Sequence, residues 1–182
     1  MIHKDLRTLL NEYDPIYPEE KISKDMMLEF MDEHEDCFER SQPEGHFTGS
    51  AWIVNYDNSV FLLTLHKKLG KWLQCGGHAD GDSDIIRVAE REAFEESGLK
   101  SLELVSPEIF DVGIFDIDAH QIPDWNGTPA HWHLDVRFLL RQTDPNETIK
   151  ISDESLDLKW FKEIPEGSGE LTRMFEKWKN LS

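Results

Sequence analysis

Three glutamates and a pair of glycines are the residues of this chain whose types and spacing best suit chemistry. Glu92, Glu95 and Glu96 stand in the run Arg91-Glu92-Ala93-Phe94-Glu95-Glu96-Ser97-Gly98-Leu99. On a helix, at ~100° per residue, they fall within an arc of ~100°. Ile85, Val88, Ala89 and Ala93 occupy an overlapping arc, so the glutamates border the apolar stripe. Like charges at i,i+3 and i,i+4 each destabilise a helix by ~0.2–0.5 kcal/mol. Partial burial of the carboxylates adds more unless a cation neutralises them. Arg91 can pair with Glu95 four residues on, but one guanidinium does not offset three carboxylates. A hard divalent ion would, since Mg²⁺ takes oxygen ligands and keeps waters that a substrate phosphate can replace. A solvated acidic face is the competing reading of the helix alone. Gly76-Gly77, just upstream, lets backbone approach a ligand closely.

The flanking pattern supplies elements to position these groups. Two amphipathic helices are expected over residues 3–12 and about 19–38, parted by Pro15 and Pro18, with a methionine-rich packing stripe. Strands are expected over 47–56 and 60–66, joined by a turn at Asp57-Asn58-Ser59, and over 72–75. A Gly-rich acidic loop, 76–84, then leads into the glutamate helix, about 84–97, with Gly98 where a left-handed C-cap belongs. Further strands are expected at 102–105, 109–117, 132–140 and 160–161, and a terminal helix at 171–181. Because β and α do not alternate strictly, the fold class is α+β with a mixed sheet.

The loop and helix together read G-x5-(Ser)-x7-R-E-A-x-E-E-x-G-L. This resembles the Nudix box, G-x5-E-x7-R-E-U-x-E-E-x-G-U, with U aliphatic or small. Gly77, Arg91, Glu92, Ala93, Glu95, Glu96, Gly98 and Leu99 match in register, and Ser83 stands in place of the first glutamate. The resemblance implies a Nudix-like α/β/α sandwich over 45–182. It implies Mg²⁺- or Mn²⁺-dependent hydrolysis of a nucleoside diphosphate linked to another moiety. Residues 1–44 are expected to be an N-terminal helical extension that packs on the domain or forms a homodimer contact. Glu92, Glu95 and Glu96 would be metal ligands, with the Gly76 carbonyl as a further one. Glu92 could also orient or deprotonate water, although many family members place the base on a later loop. Arg91 would hold the carboxylates in place. The alternative is a catalytically weakened nucleotide-binding or regulatory module on the same fold. A metal-dependent isomerase-like use of the fold ranks below both.

Ser83 can act as the helix N-cap, and Asp82 or Asp84 could supply the missing carboxylate. An unpaired Arg91 would cost the helix ~1 kcal/mol. Asp80-Gly81-Asp82-Ser83-Asp84 begins like a calcium loop, but Ile85 and Arg91 occupy positions that need Gly and Glu. Substrate-binding candidates are Arg137, His78 and Lys71, with Lys67 and Lys68 beside the last; Arg137 is alternatively a partner for Asp135. His131 and His133 share one strand face with Asp135, a set that could take a transition metal or a phosphate; a ligand-free aromatic-rich strand is the more ordinary reading. Trp125 and Trp132 could stack on a base, and Glu154, in an acidic loop with Glu147 and Asp153, is a candidate distal base. Residues that would mark ADP-ribose or dinucleoside polyphosphate enzymes are absent around Gly113-Ile114-Phe115-Asp116. Phosphate-loop, zinc-protease and serine-hydrolase motifs are also absent.

Composition bounds the rest. The chain has 182 residues, 38% of them hydrophobic, enough for a core in one domain or one domain with an extension. Its formal charge of −18 argues against a nucleic-acid polymer or an anionic membrane surface as partner. No stretch reads as a membrane span or a signal peptide, so a cytoplasmic location is expected. Cys37 and Cys75 are expected to be free thiols.

Overall fold

The computed structural model describes residues 4–105, 113–125 and 127–181. Two helices come first, α1 (Leu6–Glu12) and α2 (Pro18–Glu33). Asp5 caps α1 by accepting from the Thr8 amide, and Pro18 opens α2 at a position where a missing N–H costs nothing. α2 stops at Glu33, five residues before the sequence pattern does; residues 34–42 form turns instead.

Strands β1 (Gly45–Val54), β2 (Phe61–His66), β3 (Trp72–Leu73) and β4 (Cys75–His78) follow, then α3 (Ile85–Ser97). Strand β5 (Leu102–Leu104), β6 (Ile114–Ile122), β7 (His131–Gln142) and β8 (Ser155–Phe161) complete a mixed sheet of eight strands. A single 3₁₀ turn (Gly169–Leu171) leads into α4 (Thr172–Asn180). Gly76-Gly77-His78, expected in a loop, pairs antiparallel with β1 as a strand. The expected strand at 109–117 falls partly outside the described residues; within them it runs later, over β6. β8 is longer than expected because its charged alternation suits an edge strand paired with β2.

β1 is the axis of the sheet. It runs parallel to β7 from Gly45↔Trp132 to Val54↔Arg141, with β4 beside its first half and β2 at its end. Every residue of β1 is buried, as a strand covered on both faces must be. Successive side chains alternate between those faces. Phe47, Val136 and Phe138 pack with Val88 and Ala89 of α3, in a cluster that also takes Leu9 of α1 and Phe30 of α2. On the other face Trp52 and Leu139 pack with Met174 and Trp178 of α4. The result is a mixed sheet between helical layers. No helix among the described residues is long and apolar enough to cross a membrane.

Candidate active site

α3 carries the glutamates because its ends are well specified. Asp84, not Ser83, is the N-cap; its carboxylate accepts from the Arg87 amide. Ser83 is exposed on the surface. At the other end Gly98 adopts φ 70°, the left-handed conformation that closes a helix most readily at glycine. Between them Val88, Ala89 and Ala93 are buried against β1, which fixes the helix rotation and turns Glu92 and Glu96 toward β4.

The Gly76 N–H donates to Glu96 Oε2 at 2.9 Å. Glu96 is only 8% exposed, and its carboxyl is pushed up to about 7. Burial drives that rise, the Gly76 hydrogen bond opposes it, and the charges of Glu92 and Glu154 add to it. Glu92 is raised too, by burial, against the pull of Arg91. A Cβ on Gly77 would run into the Glu92 carboxylate, so glycine leaves that side chain the place it occupies. Arg91 Nη2 donates to the His78 carbonyl at 2.8 Å and to Glu92 Oε1 at 2.9 Å, tying strand to helix. It pairs with Glu92 and not with Glu95, which stays exposed. Arg91 is therefore not left unpaired by Ser83. Asp82 is engaged instead by Arg87.

These groups line a cleft of about 590 Å³ that also takes in Gly76, Gly77, His78, Glu95, Glu154 and Ser152. Arg40, His66, Lys68 and Asp80 border it as well. Arg40, fixed by two 2.7 Å hydrogen bonds to Asp80, carries no motif signal, since it comes from the turns before β1. His66 and Lys68 reach the cleft through the end of β2, which its pairing with β1, β3 and β8 sets there.

Two expected substrate contacts lie elsewhere. Arg137 is buried, with bonds to Asp135 at 2.7 Å, Asp116 at 2.8 Å and Asp118 at 3.1 Å. Residues on one strand predicted the Asp135 pairing, but β6 adds two more carboxylates, and the guanidinium is consumed by structure. Lys71 pairs with exposed Glu170, in the 3₁₀ turn before α4, at 3.2 Å and is not among the cleft-lining residues. Cys75, beneath the cleft, is fully buried, and burial together with Glu96 lifts its thiol well above the usual range, which makes it a poor nucleophile. Trp125 is exposed and Trp132 packs against the α1–α2 cluster.

A buried acid with a raised proton affinity, and a second half-buried acid at a glycine strand that takes the one paired arginine, make an oxygen-rich, under-neutralised pocket. The family model for the Nudix domain matches residues 46–164. The chain belongs to the Nudix family. It is accordingly a hydrolase of pyrophosphate bonds. Among solved structures, this Nudix chain is similar to a Nudix-family hydrolase from Clostridium perfringens at 27% identity and TM-score 0.53, over 75% of this chain and 98% of that one. A MutT Nudix hydrolase from Burkholderia pseudomallei, at 20% identity and TM-score 0.54, covers 76% of this chain and 99% of its own. The E. coli dihydroneopterin triphosphate pyrophosphohydrolase, at 15% identity and TM-score 0.55, covers 74% and 95%. The last two share the fold. No curated protein sequence matches the chain.

Proposed function

We propose that this Nudix protein is a Mg²⁺- or Mn²⁺-dependent pyrophosphohydrolase acting on a nucleoside diphosphate linked to another moiety. The observation that carries the reading is the Glu96 carboxylate, buried and bound to the Gly76 amide, beside Glu92, whose carboxylate takes the Arg91 guanidinium. The all-oxygen donor set fits a hard divalent ion, and Glu92, Glu95, Glu96 and the Gly76 carbonyl are the groups that would hold it. Such an ion supplies charge neutralisation of the diphosphate and Lewis acidity.

The chain's own residues do the rest. Arg91 fixes Glu92 against the His78 backbone, so that the carboxylates stay in place when substrate arrives. Glu92, with one oxygen engaged by Arg91, orients water with the other. Glu154 faces the same cleft, and among the described residues its carboxylate has no ion-pair partner, which suits it to take the proton from water. His78 and Lys68 border the cleft where an anion would enter. Residues 1–44 act as an accessory element of a domain spanning 45–182; α1 and α2 bury Leu9, Leu10, Met27 and Phe30 in the core that β1 and α3 share.

The test is release of nucleoside monophosphate or of phosphate from a panel of nucleoside-diphosphate-linked compounds with Mg²⁺ or Mn²⁺, in wild type and Glu96→Gln. Turnover by wild type that the variant loses supports the reading. Equal inertness of the two, with ligand still bound, establishes the binding-module alternative.

A further inference from the structure

The face of the sheet opposite α3 carries a second cluster of potential ligands, built from imidazoles. His46 pairs in register with His133 across β1 and β7, and His131 stands two residues earlier on the same face. The ring centroids lie 4.9 Å (His46–His133), 5.1 Å (His46–His131) and 5.2 Å (His131–His133) apart. One ring nitrogen from each lies within 4.8 Å of the other two. Around a tetrahedral zinc ion with bonds of ~2.1 Å the nitrogens stand ~3.4 Å apart, so small ring rotations close the set.

Two independent observations point to a ligand. His46 is 3% exposed, yet neither of its ring nitrogens has a hydrogen-bond partner among the described residues. A buried N–H or lone pair left so is expensive, and native structures rarely tolerate it. His131 Nδ1 lies 2.9 Å from the Pro129 carbonyl. A carbonyl only accepts, so Nδ1 carries the proton and Nε2 keeps its lone pair, the arrangement that backbone carbonyls impose on metal-bound histidines. Asp135, next along the face, is already engaged by Thr48, Ser50, Gln74 and Arg137 and offers nothing further.

We propose that His46, His131 and His133 bind one borderline transition-metal ion of the Zn²⁺ class, at a site separate from the glutamate cleft. Imidazole donors suit zinc, cobalt, nickel or copper and not magnesium. Three protein imidazoles form the type of donor set that also takes water or substrate. The site stands beside the cleft: the His78 ring lies 5.0 Å from His46 and 5.1 Å from His133, and His78 also lines the glutamate pocket. The proposal does not depend on the diphosphate reading, because it concerns binding of the metal alone.

The test is titration of the full chain, stripped of metal and then held in excess Mg²⁺, with Zn²⁺ by calorimetry and with Co²⁺ by visible absorption. One equivalent should bind, with the intense Co²⁺ bands of low coordination number. His131→Gln and His133→Gln should weaken binding at least 10–100-fold, and Glu96→Gln should leave it unchanged. Where His133→Gln fails to fold, His131→Gln at the strand start decides. Absence of stoichiometric uptake, uptake indifferent to His131→Gln, or uptake lost in Glu96→Gln would overturn the proposal.

Discussion

Asp116, Asp118, Asp135 and Glu20 are each met by a cation, whereas Glu92, Glu95, Glu96 and Glu154 share Arg91 alone among the ion pairs of the described residues. In the first region Asp116 binds Arg137, Arg173 at 2.8 Å and Lys177 at 2.9 Å, and Lys177 in turn meets Glu20 and the Tyr13 hydroxyl. That network joins β6 and β7 to α4 and α2. In the second region the acids crowd together without matching cations. Both regions desolvate charge, but only the first is complete within the chain. Completed charge holds a fold in one arrangement; incomplete charge is a binding site for what completes it.

The sharpest way to break the contrast is to remove a cation from the complete region. Lys177→Met should destabilise the protein by about 3–5 kcal/mol, because Glu20 and Asp116 are left buried and under-paired. Urea unfolding measures the loss, and turnover per folded molecule should hold. Glu96→Gln is the counterpart in the incomplete region. It should lower kcat/KM by roughly 10²–10³-fold, the scale of losing one electrostatic stabiliser of transition-state charge. Without metal at pH 8, however, its melting temperature should match or exceed that of wild type, since a buried charge has gone.

The two regions should also titrate with opposite signs. Glu96 keeps its proton up to about 7 against an ordinary 4.5, so its contribution to metal-free stability is fully present below about 4.5 and is lost as pH rises through 7. Asp118 goes the other way. Burial alone would raise it, but the His120 hydrogen bond and the Arg137 and Arg173 charges hold it down at about 2 against an ordinary 3.8. Its contribution is present above 3.8 and is lost as pH falls toward 2. Melting temperatures of wild type, Glu96→Gln and Asp118→Asn across pH 2–9 separate the two slopes. The smallest effect is expected at Lys71→Ala. This exposed pair should change stability by no more than about 0.5 kcal/mol and leave KM unchanged, in contrast to Lys68→Ala, which should raise KM.

The glutamate site was legible because its information is local. Glu92, Glu96 and Arg91 lie on one helix, and Gly76-Gly77 lies just before it, so spacing alone brings them together. Arg137 shows where this stops. Its strand face predicted Asp135, but Asp116 and Asp118 come from β6, and Arg173 and Lys177 from α4. His46 shows the same limit: it stands far along the chain from His131 and His133, and only the parallel β1–β7 register makes them neighbours. The N-cap was misplaced by one residue, because Ser83 and Asp84 are both good caps and the helix geometry chose between them.

The sequence by itself determined the Nudix box, the carboxylates on α3, the diglycine just before that helix and the mixed α and β composition of the layers. These follow from periods of two and 3.6 residues and from the glycine positions, all short-range properties of a chain. Tertiary structure decided which charges are neutralised and which are left for a ligand. Strand pairing and helix docking join residues that no periodicity relates, and the energy of a buried charge depends on which of those neighbours arrives.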